Sequence, residues 1–122
     1  MSASAVPAKS DPNCLFCKIV EQKIPSQRVS ENEHSIAIRD VNPQAPTHIL
    51  VLPKIHVPNI AEAAGNAELV SKLIATACTV AKEQNLDKGF RLVINTGNDG
   101  GQTVHHLHIH LLGGRFMGWP PG

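Results

Sequence analysis

Residues 105–112 read HHLHIHLL, and this alternation constrains the chain more than any other stretch. Strict alternation over so many positions favours a strand over a helix, because successive side chains of a strand point to opposite faces. His106, His108 and His110 then share one face, and Leu107, Ile109 and Leu111 share the other, with His105 at its edge. Such a strand packs one face on a core and lays three imidazoles along the other. Imidazole titrates near neutral pH, binds metals and acts as a nucleophile, so the row demands a chemical explanation.

The remaining sequence supplies what such a strand needs around it. A chain of 122 residues forms one domain with a real core and is short for two. NCLFCKIVEQK predicts a short helix with Asn13 as N-cap and an apolar stripe of Leu15, Phe16, Ile19 and Val20. Two short strands are expected next, with a turn near Glu31–Glu33 and the second strand over Ser35–Arg39. NPQAP reads as a turn, and THILVLPK as a central strand stopped by Pro53. Pro58 and Asn59 open one long helix, expected from about Ile60 to Gln84, with Leu69, Val70, Leu73, Ile74, Ala77, Val80 and Ala81 on its apolar stripe. Cys78 reads as core on that helix. GFRLVINT is a further strand, GNDGG a glycine loop, and the glycine- and proline-rich tail GGRFMGWPPG has no regular structure. These elements predict an α+β domain: a five-stranded, mostly antiparallel sheet, one long helix and one short one. The long helix covers one sheet face, and the histidine face is left for a ligand.

Bulk properties exclude several classes. A net charge of +1 gives no electrostatic case for a nucleic acid as main partner. No apolar run approaches the ~20 residues that span a membrane. The N-terminal MSASAVPAKSDPN has no apolar h-region and no Arg, which fits neither a secretory nor a mitochondrial signal. It reads as a disordered arm over residues 1–13, ahead of one domain over 14–122. Three cysteines are an odd number for a disulfide framework, so a reducing cytoplasm is the expected compartment.

Three chemistries compete for the histidine strand: a three-histidine zinc centre, nucleophilic catalysis with neighbouring imidazoles handling protons, and a structural metal clip. The flanking NTGNDGGQT favours phosphate. Its glycines allow close backbone approach and positive φ, so successive N–H groups can face an anion, and Thr103 adds a hydroxyl. Asp40, at a strand end, could accept hydrogen bonds from ribose.

HLHIHLL resembles the His-φ-His-φ-His-φ-φ signature of the histidine triad (HIT) superfamily. FCKI, IPS, RDVNPQAPTHILVLPKIH, VINTGNDGGQT and LLGGRFMGWPPG extend the similarity over about residues 14–122, to the branch of histidine triad nucleotide-binding proteins. The resemblance implies a nucleoside 5′-phosphoramidate hydrolase with purine preference, working through a nucleotidylated histidine. By position, His108 is the nucleophile and His110 contacts phosphate and helps proton transfer. His106 and His48 support them, and Thr103, where the family often has Ser, bonds the phosphate or the leaving nitrogen. Gly101 offers its N–H to phosphate, Asp40 binds the ribose hydroxyls, Asn95 lines the site, and Phe16, Ile19, Ile38 and Val41 form the base slot. Ile38 stands where many relatives have Phe, which weakens the inference about base preference. His105 stands where an aromatic often precedes the triad. His110 in place of Gln points away from the uridylyltransferase branch.

Cys14 and Cys17 form a CxxC without the βαβ surroundings of a redox motif. Either they face the core, or they bind structural zinc with His56 and His106, as in some relatives that the chain resembles; no cofactor is expected to be required for catalysis. The resemblance also implies a homodimer whose sheet continues across the interface through the strand at GFRLVINT, with Trp119 reaching the partner's pocket. A non-catalytic nucleotide- and zinc-binding scaffold is the alternative from another functional class.

Overall fold

The computed structural model describes residues 10–122. In chain order the elements are α1 (Leu15–Val20), β1 (Arg28–Glu31), β2 (Ser35–Arg39), β3 (Thr47–Pro53), α2 (Ile60–Ala63), α3 (Ala67–Glu83), β4 (Phe90–Val93) and β5 (Ile109–Gly113). The strands form one five-stranded sheet in the order β1-β2-β3-β5-β4, and every pair is antiparallel. The α+β class, the five strands and the bounds of β2 match expectation. No helix among the described residues is long and apolar enough to cross a membrane.

Period-two alternation sorts the core into two layers. Ala37, Ile49, Val51, Leu107, Ile109 and Leu111 face α3 and meet Leu73, Ala77, Val80 and Ala81. Ile36, Ile38, Leu50 and Leu52 point to the opposite face and meet Phe16, Cys17 and Ile19 of α1. The histidine face of the sheet is therefore partly roofed by α1, where sequence patterning left it bare.

Four local expectations are corrected. The helix expected over 60–84 is two helices, because Gly65 disfavours helix and Asn66 starts a new one, its side chain accepting from the Leu69 N–H at 3.1 Å. The N-cap of α1 is Cys14, one residue after Asn13, with its sulfur accepting from the Cys17 N–H at 3.4 Å. Cys78 is exposed, since it lies about 100° around the helix from Ala77 and off the buried stripe. The histidine strand begins only at Ile109. Val51 pairs with Ile109, but two residues on β3 reaches Pro53, which has no N–H to extend the ladder. Leu107 instead donates its N–H to the Val57 carbonyl at 2.7 Å. Facing still alternates through 106–111, so the three histidines stay on one side even though only His110 is in the strand.

The arm expected over residues 1–13 lies outside the described residues as far as residue 9. From residue 10 the chain packs on α1: the Asp11 N–H donates to Cys17 Sγ at 3.3 Å, and the Asn13 N–H to Asp11 Oδ1 at 2.8 Å.

Candidate active site and metal centre

Hydrogen bonds fix the tautomers of the central histidines. His108 Nδ1 lies 2.7 Å from the His106 carbonyl, which can only accept, so the proton is on Nδ1 and the lone pair on Nε2. The Gln44 N–H donates to His48 Nδ1 at 3.0 Å, which puts the His48 proton on Nε2. That proton is donated to His110 Nδ1 at 2.9 Å and leaves His110 protonated on Nε2. The network thus presents one nucleophilic nitrogen, on His108, and one N–H donor, on His110. Their ring centroids are 5.0 Å apart.

Burial keeps these rings neutral. His108 is buried, and desolvation pulls it below the ordinary histidine range against the opposing effects of the His106 carbonyl and Asp40. Desolvation, followed by repulsion from His108 and His48, takes His110 down to about 4. His48 is lowered too, again by burial first, although Asp40, with Oδ2 3.4 Å from His48 Nε2, raises it. Burial therefore outweighs mutual repulsion in setting the charge of these rings. Phe16 of α1 packs on His108 in a T-shaped arrangement, with ring centroids 5.0 Å apart.

A stability prediction follows from His110. Its unfolded pKa is near 6.5 and its folded value about 4. Between these values the unfolded chain binds a proton that the folded chain refuses, so stability is full above pH 6.5 and falls with acidification towards pH 4. With His110 only half-buried, the loss is about 2 kcal/mol. Urea unfolding of the native chain and of His110→Gln from pH 7 to 4 checks this, and the variant is expected to show a flatter dependence.

The other expected nucleotide contacts are partly brought together. Phe16, Ile19 and Ile38 share one buried cluster beside the histidines, whereas Val41 is fully exposed and outside it. Asp40 is half-buried, with Oδ1 accepting from the Asn42 N–H at 2.8 Å. Asn95 is half-buried two residues beyond β4. Gly101 has φ +80° and spends its N–H on the Asn98 carbonyl at 3.0 Å, so a phosphate there would share the donor. Thr103 is exposed and helps line a cavity of about 370 Å³ with Asn13, Cys14, His56 and His105. Sequence reasoning missed two groups. The Gln44 main chain sets the His48 tautomer and carries no side-chain signal. Gln102 is buried beside exposed glycines, and a long amide between a glycine loop and the triad was the available cue.

Cys14, Cys17, His56 and His106 place one donor atom each within 4.8 Å of one another. His106 Nδ1 lies 3.4 Å from Cys14 Sγ and 3.6 Å from Cys17 Sγ, and His56 Nδ1 lies 3.4 Å from Cys17 Sγ. A tetrahedral ion with Zn–S of about 2.3 Å and Zn–N of about 2.0 Å requires S···N edges of about 3.5 Å, so the set fits zinc. His106 Nε2 donates to the Pro53 carbonyl at 2.9 Å, which leaves the Nδ1 lone pair facing the sulfurs. The His106 carbonyl also holds His108, so the Cys14–Cys17–His56–His106 set is linked to His108 through one residue's main chain.

The HIT domain model matches residues 21–117, and the chain belongs to that family. It is 48% identical to a 14 kDa zinc-binding protein of Zea mays over 115 residues, spanning 92% of this chain and 90% of that one. It is 42% identical to adenylylsulfatase HINT1 of Arabidopsis thaliana over 123 residues, spanning 98% and 84%. Among solved structures, a HIT family hydrolase from Legionella pneumophila Philadelphia 1 superposes with a TM-score of 0.87 at 46% identity, covering 90% of this chain and all of that one.

Proposed function

We propose that the protein is a nucleotide hydrolase that cleaves the P–N bond of purine nucleoside 5′-phosphoramidates through a nucleotidylated His108. The observation that carries this is the tautomer pair: a free Nε2 on neutral His108 beside an Nε2–H on His110. His108 Nε2 forms a bond to phosphorus while the P–N bond breaks, and the amine leaves with a proton drawn from solvent and relayed through the His110–His48 pair, which ends the step neutral. Water then attacks phosphorus, its proton returns to solvent, and His108 departs as neutral imidazole. Thr103 and the glycine-loop amides supply hydrogen bonds to phosphate oxygens. Asp40 takes the ribose hydroxyls, and Phe16, Ile19 and Ile38 flank the base. Cys14, Cys17, His56 and His106 hold a structural zinc, which fastens α1 and its Phe16 against the histidines.

Similarity to a hydrolase and to an adenylylsulfatase supports phosphorus chemistry on a nucleotide. The deciding experiment measures release of amine and nucleoside monophosphate from adenosine, guanosine and uridine 5′-phosphoramidates. Purine substrates are expected to turn over fastest. Nucleotide binding without turnover on any of them would favour the scaffold reading.

The same proposal includes a homodimer. β4 is an edge strand, and Phe90 on it, with Phe116 and Trp119 in the tail, is an exposed aromatic. Sedimentation equilibrium at micromolar concentration is expected to give twice the chain mass, and a monomer would remove Trp119 from any role in a partner's pocket.

A further inference from the structure

We infer that Gln102 is a positioning residue for the proposed reaction, a clamp that fixes the glycine loop and, through it, the next residue, Thr103. Residues 97–101 of that loop are all exposed, so none of them anchors it by packing. Gln102 is buried and bonds at both ends of its side chain. Its Oε1 accepts from the Gly97 N–H at 3.1 Å, while its own N–H donates to the Gly97 carbonyl at 3.1 Å, a reciprocal pair that closes the loop. Its Nε2 donates to the Pro58 carbonyl at 2.8 Å and to the Val104 carbonyl at 3.1 Å.

These bonds join three segments. The loop's first residue is tied to its last, and the closed loop is tied to the chain entering α2. The same stretch is fastened once more, through Leu107 N–H to Val57 carbonyl. Gly100 shows how tightly the loop is wound, since a Cβ there would collide with the Thr96 carbonyl oxygen. Without the amide, the Pro58 carbonyl and the Gly97 N–H lose a partner each, and the loop can open into solvent. Thr103 is the next residue along, so an opened loop moves its hydroxyl away from the phosphate. Catalytic geometry tolerates little displacement: about 1 Å costs up to roughly 100-fold in rate.

The inference rests on the hydrolase reading, and two readouts separate their failures. In the full-length chain, Gln102→Met keeps the side chain's length and removes the three side-chain hydrogen bonds, leaving the main-chain N–H bond to the Gly97 carbonyl. It is expected to lower kcat on an adenosine 5′-phosphoramidate by roughly 30-fold, with a smaller change in KM. Amide exchange at Gly97 and Gly101, followed by NMR, is expected to accelerate at least about tenfold, while amides of β3 and β5 stay protected. Gln102→Asn, a milder change that keeps an amide, is expected to fall between Met and native on both measures, and decides the matter if Met does not fold. Unchanged kcat with unchanged loop exchange would overturn the clamp, as would faster exchange spread evenly over the sheet. Faster loop exchange with unchanged kcat would overturn its positioning role. If the native chain turns over no phosphoramidate, the hydrolase reading fails and the positioning role falls with it, whatever the exchange data show.

Discussion

Replacing His108 with alanine is expected to reduce phosphoramidate turnover by at least ~10³-fold, the scale for loss of a covalent nucleophile. The imidazole is set up for attack before substrate arrives. Its Nδ1–H is held by the His106 carbonyl at 2.7 Å, burial keeps it neutral, and Phe16 fixes its ring. Alanine removes the attacking atom and leaves Asp40 and the apolar cluster in place, so nucleoside monophosphate should still bind. Rapid-quench trapping of labelled nucleotide is expected to show covalent label on the native chain and none on the variant. Turnover near the native rate in a folded His108→Ala protein would remove His108 from this role.

Cys14→Ala is expected to lower unfolding free energy by about 4 kcal/mol, in the range for loss of a structural metal. The native chain is expected to carry about one zinc per chain, and the variant far less. Three S···N distances among the four donors are already 3.4, 3.4 and 3.6 Å, close to the edges of a tetrahedral site, and His106 already points its lone pair at the sulfurs. Stability should fall more than turnover, but turnover should also fall, by about tenfold, because the same His106 holds His108. Metal analysis of protein never exposed to chelator, paired with thermal unfolding, reads both halves. A native chain with far less than one zinc would return the cysteines to the role of core residues.

Much of this was legible in local pattern, because pattern reports facing. Alternation in HHLHIHLL and THILVLPK put the right residues on the right side of the sheet, and Ile49, Val51, Ile109 and Leu111 meet α3 as period two requires. The expectations that failed depended on neighbours. The apolar stripe continued past Gly65, so periodicity missed the break that the Asn66 cap imposes. Cys78 carried an apolar label on a position that faces outward. The histidine strand began late because its ladder partner ends at a proline, and a strand's own sequence does not show where its partner stops.

The candidate site divides in the same way. The sequence by itself determined that three imidazoles lie on one side, since residue type and side-chain period are local properties. Only the tertiary structure decided their protonation. The His48 tautomer depends on a main-chain amide of Gln44, and that of His110 depends on His48, 62 positions away. Their depressed pKa values come from burial under elements distant in sequence, and Cys14 meets His106 across 92 positions. Desolvation and hydrogen bonding act over a few ångströms of space, and only the folded chain brings those groups within that distance.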